Sequence, residues 1–368
     1  MSETNRRPAI TKVVITGGPC AGKSTALSWI NNAFTSKGYK VLVVPETATE
    51  FITGGVAPWT CGTNEDYQKC QMTLQLEKER LFEYAASTMD AERILIVCDR
   101  GAMDNKAYMT EEEFAHVLQT VGRDEITLRD SYDAVFHLVT AAKGAEQFYT
   151  KENNAARYET VEEARALDDK LLASWNGHPH LRIIDNKTDF SAKMHRLISE
   201  MTALLGEPEP YEAERKYLIA YPDLKALEKL PSCRKVEISQ VYLKAAPGEV
   251  IRVRQRGING HYTYYVTTRR PAGEGKRIEL ERLISQSEYL RLMMDADLSY
   301  HPIRKTRYCI THACHVFNVD IYPFWQDQAL METELYDMDE AVEFPPMIEV
   351  LKEVTMDPQY KNHALARL

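Results

Sequence analysis

Apolar residues in the first half of the chain come in short, unalternating runs separated by longer stretches of helical period. Thr11–Thr16, Lys40–Val44, Arg93–Cys98, Ala134–Val139 and Leu181–Ile184 are rich in β-branched residues and nearly continuous in hydrophobicity. Strands buried on both faces have this pattern, which predicts a parallel sheet covered by helices. Ser24–Ser36 and Tyr67–Met89 are helix-length segments between the runs. A doubly wound α/β domain over residues 11–205 fits, after a polar N-terminal tail at 1–10.

The pattern changes at Gly206-Glu-Pro-Glu-Pro210, where two prolines and two carboxylates in five residues suit neither a helix nor a strand interior. Residues 206–210 are expected to be a linker. From 211 to 368 the chain places charge on alternate positions of strand-like segments. Glu212-x-Glu214-x-Lys216, Arg252-x-Arg254-x-Arg256, Glu279-x-Glu281, Lys305-x-Arg307 and Glu332-x-Glu334 all have this spacing. A period of two puts each set on one face of its strand, and the intervening Tyr217, Val253, Ile278, Leu280, Thr306 and Thr333 suit the other face. This half is expected to be mainly antiparallel β.

Composition narrows the partners. The 368 residues are 44% hydrophobic and 27% charged, ordinary for a soluble chain with two cores. The net charge of −9 gives no global basic field, so nucleic acid is not an expected partner and any anion site must be local. The seven cysteines (20, 61, 70, 98, 233, 309 and 314) are odd in number and form no C-x-x-C, a pattern that favours a reducing compartment. Met1–Ile10 does not read as a signal peptide, and no apolar run approaches the ~18 residues of a membrane span. A cytoplasmic protein without a transmembrane segment is expected.

Gly17-Gly-Pro-Cys-Ala-Gly-Lys-Ser24 satisfies G-x-x-x-x-G-K-[ST] between a strand and a helix, the context the motif requires. Glycines let the backbone curl so that the amides of Gly17, Gly18, Cys20, Ala21, Gly22, Lys23, Ser24 and Thr25 surround Pro19 and face phosphate oxygens. Lys23 is expected to reach the terminal phosphates and Ser24 to ligate Mg²⁺. Asp99 closes the apolar run Ile94–Cys98 and is a candidate for Mg²⁺ or for a substrate proton, with Arg100 next to it and Asp104 one turn on. Glu46 is placed toward an acceptor pocket, Arg157 and Arg165 toward a phosphate-closing lid, and Asp185-Asn186 toward the base. Each of these also suits a solvated helix or turn. No convincing N/T-K-x-D base-reading motif of the common GTPases is found, so ATP and GTP stay open.

In the second half the charged faces are mixed in sign and recur on several strands. Closing those strands into a barrel would crowd Glu212, Glu214, Glu279, Glu281, Asp320, Glu332 and Glu334 against Lys216, Arg252, Arg254, Arg269, Lys305 and Arg307. A packed core does not bury so many ions, whereas a polar tunnel gripping a polyanion through its bases, with divalent metal on its acids, does. An outward-facing charged sheet is the alternative.

The order Glu212-Ala-Glu-Arg-Lys216, Ile251–Arg254, Val266–Arg269, Arg277–Glu281, Ile303–Arg307, Val319-Asp320, Glu332–Glu334, Glu353–Thr355, Tyr360 and Asn362 resembles the CYTH, or triphosphate tunnel metalloenzyme, family. That resemblance implies an antiparallel tunnel binding an inorganic or organic triphosphate with Mg²⁺ or Mn²⁺. By the same analogy Glu212, Glu214, Glu332 and Glu334 are metal ligands, and Lys216, Arg252, Arg254, Arg269, Lys305 and Arg307 grip phosphate. Glu279 and Glu281 position water or a second metal. Arg269 stands where the family commonly has lysine, which exchanges a point charge for a fork. The front half, through Gly17–Thr25, Pro45–Thr49, Cys98–Asp104, Arg129–Asp133, Ala141–Glu146, Trp175–Pro179 and Ile184–Phe190, resembles the P-loop domain shared by the nicotinamide-riboside-kinase part of NadR and the TRPL-translocation-defect proteins. The whole chain is most similar to the latter family, which implies GTP, phosphoinositide headgroups and peripheral membrane association. A triphosphate phosphohydrolase with a kinase-like P-loop domain is the leading expectation. A binding protein without turnover and a kinase for a nucleoside-like acceptor are the alternatives.

Two smaller signals are read as structural and a third stays open. Cys309, His312, Cys314 and His315 match no ordinary zinc spacing. His137, within an apolar strand, reads as a satisfied core histidine, and Trp59 and Trp175 suit either a core or a stacking role.

Overall fold

In the computed structural model the described residues are 8–149, 160–206, 213–271, 277–335 and 340–367. Contacts divide the chain into two compact units, Met1–Ile198 and Ser199–Leu368.

The first unit is built on strands β1 (Ala9–Thr16), β2 (Lys40–Val44), β3 (Arg93–Asp99), β4 (Ala134–Leu138) and β5 (Leu181–Ile184). They form a parallel sheet in the order β2-β3-β1-β4-β5. The unalternating runs are explained by burial: Val13–Ile15 in β1 and Ile94–Cys98 in β3 are wholly inaccessible. The helices are α1 (Lys23–Ser36), α2 (Thr47–Thr53), α3 (Asn64–Ser87), α4 (Glu111–Val121), α5 (Glu125–Arg129), α6 (Val161–Trp175) and α7 (Phe190–Leu204). Threonine starts three of them: Thr63 caps α3, while Thr110 and Thr160 form capping boxes with Glu113 and Glu163. The strand order reverses at β1, whose end lies beside both β3 (Ile15 against Asp99) and β4 (Thr16 against His137). Open α/β sheets bind ligands at such a switch point. Among the described residues no helix is long and apolar enough to cross a membrane.

The second unit is a nine-stranded antiparallel sheet. Its strands are β6 (Ala213–Ala220), β7 (Cys233–Leu243), β8 (Val250–Ile258), β9 (His261–Pro271), β10 (Arg277–Ile284), β11 (Ile303–His312), β12 (His315–Ile321), β13 (Gln328–Leu335) and β14 (Val350–Glu353). Their order is β10-β9-β8-β7-β11-β12-β13-β6-β14. Short helices α8 (Leu224–Glu228), α9 (Gln286–Leu292) and α10 (Asn362–Leu365) flank it. Asn259 and Gly260, both at positive φ (54° and 88°), make the tight turn between β8 and β9.

Apart from Glu212, every member of the five period-two charge sets falls on a strand of this sheet, and the alternation sorts its two faces. One face packs Tyr217, Ile219, Tyr308, Ile310, Phe317, Val319 and Met331 into a core. The other carries the charges and ends in a second apolar layer of Leu218, Tyr242, Ile303, Tyr322, Leu330, Val354 and Leu365. That layer joins residues of β6, β7, β11 and β13, strands up to four places apart in the sheet, to the C-terminal segment, so the charged face curls inward into a concave surface. The α/β domain followed by a mainly antiparallel β domain is the architecture the patterning predicts.

His178 shows how the first unit depends on pH. It is buried, its Nε2 lies 2.9 Å from the Tyr132 carbonyl oxygen, and His180 N donates to its Nδ1 at 3.0 Å. Burial pushes its pKa down to about 3, against an ordinary value of 6.5. The unfolded chain therefore binds a proton that the folded chain refuses between those values. Stability falls as pH drops below about 6.5, by up to about 1.4 kcal/mol per pH unit from this group. Thermal unfolding between pH 4 and 7 should show this loss, and His178→Asn should flatten it.

Candidate functional site

Gly17 through Thr25 connect β1 to α1. A Cβ on Gly17 (φ 135°) would lie 2.0 Å from the Leu138 carbonyl oxygen, and one on Gly22 (φ 92°) would lie 2.7 Å from the Phe190 ring. Both positions therefore require glycine. Helix α1 starts from Gly22 with no side-chain cap and no acidic residue in its first turn. By contrast, α3, α4 and α6 each carry a threonine cap and first-turn carboxylates. The positive end of α1 is thus left for an external anion. Between the glycines, Pro19 O accepts from Thr140 Oγ1 at 2.5 Å, Cys20 sits at φ 55° and Ala21 is buried.

Lys23 Nζ donates to the Gly17 and Gly18 carbonyl oxygens at 3.0 and 3.2 Å. Burial and the nearby Arg100 guanidinium bring its pKa down to about 8. The Ser24 and Thr25 side chains are exposed at the start of α1. Asp99 closes β3 beside the loop, and its Oδ1 is buried without a hydrogen-bond partner. Burial, with Glu46 adding like charge, raises its carboxyl above the usual value. Arg100, at φ 68°, donates from Nε to Glu46 at 2.5 Å, and its Nη1 lies 3.7 Å from Asp104. Burial opposes ionisation of Glu46, yet Arg100 and Thr49 hold it below the ordinary range. Asp104 accepts from Thr16 Oγ1 at 2.7 Å and from Trp175 Nε1 at 2.6 Å. An exposed serine hydroxyl and an unpartnered carboxylate oxygen beside the loop fit a hard divalent cation, with no geometry for the ion implied.

Arg165 lies on α6 and binds the Ala142 carbonyl at 2.6 Å and Glu146 at 2.8 Å, while Arg157 lies outside the described residues. Asn186 directs its Nδ2 to the carbonyls of Thr140 and Lys143, both at 2.8 Å, and Lys193 bonds its Oδ1 at 2.7 Å. The expectation that no N/T-K-x-D motif is present does not hold: residues 186–189, one residue removed from the end of β5, read Asn-Lys-Thr-Asp, the N-K-x-D spacing. Asp185-Asn186 suits a base edge and a turn equally, because the residues are ordinary turn formers; the position at a strand end is the signal that favours the former. Trp175 is core and Trp59 is 74% exposed. His137 is buried, with Nε2 3.1 Å from Asp168 Oδ1. Asp168 itself had no signal, since it sits mid-helix between Asp and Leu.

On the concave face of the second unit the charges are interleaved. Asp320, wholly buried, meets Lys305 at 2.5 Å and Arg307 at 2.7 Å. Glu332 meets Arg307 at 2.8 Å and Lys216 at 2.7 Å. Glu279 accepts from Arg252 at 3.1 Å and Arg269 at 2.6 Å, and Glu281 accepts from Arg254 at 2.6 Å and Thr267 at 2.5 Å. The arginines and lysines expected to grip phosphate are thus held by carboxylates one or two strands away in the sheet. Arg256, only 2% exposed, extends the same row on β8 and was not among the expected grip residues.

Glu214 behaves differently. Like charge from Glu332 is the main influence that pushes it up to about 7, with Glu334 adding to the effect; its side chain stays 42% exposed, so burial contributes little. Glu334 stands opposite Glu214 in register and is exposed. Arg269 of β9 partly offsets the rise in Glu214 of β6. Those strands are six places apart in sheet order, about 29 Å if the sheet were flat, so the sheet curls. Among the described residues no three acidic, histidine or cysteine side chains are grouped to hold a metal ion, so Glu214, Glu332 and Glu334 supply at most part of a cation's donor set. Glu212 lies outside the described residues.

Residues 12–193 match a family described as an AAA domain, so the first unit is a P-loop domain of that type. No curated protein matches the chain. Among solved structures, a crystal structure of the inorganic triphosphatase NE1496 is 27% identical, with coverage of 44% of this chain and 97% of that one and a TM-score of 0.30. A second, of the hypothetical protein NE1496, is 28% identical, with coverage of 43% and 99% and a TM-score of 0.31. The PH1819 protein from Pyrococcus horikoshii OT3 is 19% identical, with coverage of 34% and 78% and a TM-score of 0.26.

The pairing on the concave face sets an order of stability costs. Asp320→Asn leaves Lys305 and Arg307 buried against a neutral group and should destabilise the second unit by about 3–5 kcal/mol. Glu288→Gln removes a pair with Arg282, whose side chain is 60% exposed, and should cost at most about 1 kcal/mol. Urea unfolding of the two variants measures the difference.

Proposed function

We propose that the first unit binds a nucleoside triphosphate with Mg²⁺, and that the concave face of the second binds a triphosphate with Mg²⁺ or Mn²⁺ and hydrolyses it. The observation that carries this reading is the interleaving of Glu279, Glu281, Asp320 and Glu332 with Arg252, Arg254, Arg269, Lys305, Arg307 and Lys216 on one face of the sheet. A belt of that composition matches a polyanion whose charge is shared with a divalent cation. Glu214, Glu332 and Glu334, with Glu212 of the same spacing, would hold the metal. Lys216, Arg252, Arg254, Arg269, Lys305 and Arg307 would take phosphate oxygens, and Glu279 and Glu281 would orient the arginines and the attacking water. The metal supplies neutralisation of phosphate charge during in-line attack. In the first unit Ser24 and Asp99 would hold Mg²⁺ while Lys23 and the amides of α1 take the phosphates.

Guanine is the base we favour. Asn186 pins the loop after β4, which places the exposed Lys187 and Asp189 at the same end of the sheet as the phosphate loop. A carboxylate there can accept from both N1–H and the 2-amino group of guanine, a donor pair that adenine lacks. Asp189 Oδ1 also accepts from Ala192 N at 2.9 Å, so the residue starts α7 in either case.

One observation favours a second reading of the first unit. The unpartnered Asp99 carboxylate, raised by burial, suits a base that takes a proton from an acceptor hydroxyl beside Glu46 and Arg100. Phosphoinositide headgroups carry phosphate chemistry that the concave face could grip without cutting.

Phosphate release from GTP, ATP and tripolyphosphate should be metal-dependent. Glu332→Ala should abolish tripolyphosphate hydrolysis while sparing GTP binding. Lys23→Ala should weaken GTP binding at least tenfold while sparing tripolyphosphate hydrolysis. Tight binding of tripolyphosphate or phosphoinositide vesicles without any turnover would leave a receptor in place of an enzyme. Transfer of phosphate to an added nucleoside faster than to water would favour the kinase.

A further inference from the structure

Asp168 lies on α6, outside every motif, with its side chain 1% exposed. Its Oδ1 accepts from Gly18 N at 2.9 Å and Thr140 N at 3.2 Å and lies 3.1 Å from His137 Nε2. Its Oδ2 accepts from Lys143 Nζ at 2.9 Å. Burial works against its charge, but His137 and Lys143 outweigh that and hold the carboxyl well below its ordinary value. A Cβ on Gly18 would lie 2.9 Å from Oδ1, so the loop approaches this closely only because residue 18 is glycine.

Two consequences follow from the geometry. A phosphate loop binds anions through its amides, yet the Gly18 amide is already spent on an internal anion. The loop is thus tied down at its first turn, and the external cradle is left to the later amides leading into α1. A fixed negative charge beside an anion site also repels the ligand unless it is compensated. His137 provides one partner from the buried strand β4. The other, Lys143, is 29% exposed and shared with Asp169 at 2.7 Å. Helix α6 reaches the opposite side of the site as well. Trp175, seven residues on and hence on the same helical face, bonds Asp104 and packs where a Cβ on Gly101 would lie 2.5 Å from its ring.

We propose that Asp168 is a positioning residue that anchors the phosphate loop through Gly18, and that Lys143 sets nucleotide affinity by compensating Asp168. The second clause rests on the nucleotide reading of the first unit. Helix α6 is then a strut that fixes the phosphate loop at one point and the turn after β3 at another. Lys143 is the point at which solvent reaches that strut, so loss of its charge weakens anion binding without touching the ligand.

The experiment uses the full chain as wild type, Asp168→Asn, Lys143→Met, the double variant and Lys23→Ala. Affinity for Mg·GTP and Mg·ATP is measured by titration, and hydrogen exchange of peptides spanning residues 16–24 is measured without nucleotide. Lys143→Met should weaken binding by about tenfold, the scale of one hydrogen bond to a charged group. Adding Asp168→Asn to Lys143→Met should recover part of that loss, because the uncompensated charge is gone. Asp168→Asn should speed exchange of the loop peptides while peptides of the second unit stay unchanged. Wild-type affinity in Lys143→Met, together with unchanged exchange in Asp168→Asn, would overturn the proposal. Lys143→Met carries the test if Asp168→Asn does not fold, since its side chain is partly at the surface. If the wild type binds no more nucleotide than Lys23→Ala but Asp168→Asn still exchanges faster, the nucleotide reading and the tuning by Lys143 both fall, and Asp168 stands as the anchor.

Discussion

Taking an ion out of water costs several kcal/mol unless other charges or dipoles replace its hydration, and this chain meets that cost on almost every functional element it has. In the first unit one carboxylate, Asp168, is surrounded by two backbone amides, an imidazole and an ammonium group. In the second, Asp320 sits between Lys305 and Arg307, and Arg307 continues to Glu332 and Lys216. Removing one member of either network strands the others, so these charges hold the local backbone in one arrangement. The sites inherit their geometry from that constraint.

The two units satisfy it with different materials. The phosphate loop relies on peptide dipoles: α1 begins with neither a side-chain cap nor an acidic first turn, and its amides stay available. Glycines at 17, 18 and 22 make this possible because a Cβ at each would meet a carbonyl, a carboxylate or an aromatic ring. The concave face relies on side chains projecting from alternate positions of β6, β8, β9, β10, β11, β12 and β13. There the strand period does the work of the glycines, turning every second residue inward whatever its identity.

This difference explains what could be read from the sequence. The strands of the first unit were legible because both faces are buried, which leaves continuous β-branched runs whose observed ends fall within two residues of the expected ones. The loop was legible because its glycines answer to steric limits that few other turns share. The charged strands were legible as a face, since periodicity fixes side but not partner. Which acid meets which base depends on register: Glu279 faces Arg269 and Glu281 faces Thr267 only because β9 and β10 are joined in that alignment. Asp168 was invisible for the same reason, because its partners come from two loops distant in sequence, the phosphate loop at Gly18 and the segment after β4 at Thr140 and Lys143. Asp185-Asn186 was legible only as a base edge or a turn alike, since turn-forming residues after a strand look the same until one amide bridges to another loop.

Pairing on the concave face also bears on how a ligand would enter it. Arg252, Arg254, Arg269 and Arg307 already spend hydrogen bonds on carboxylates. A phosphate oxygen that takes one of those donors competes with a carboxylate in the same low-dielectric surroundings, and the displaced carboxylate is left with surplus negative charge. Glu214 shows how unwelcome that surplus is, since Glu332 alone is the largest influence raising it to about 7. A cation arriving with the anion removes the penalty, so the affinities for the two are linked, and by reciprocity each strengthens the other by the same factor. An all-basic pocket would bind phosphate without metal; on the proposed reading, interleaved acids would favour an anion and a cation arriving together.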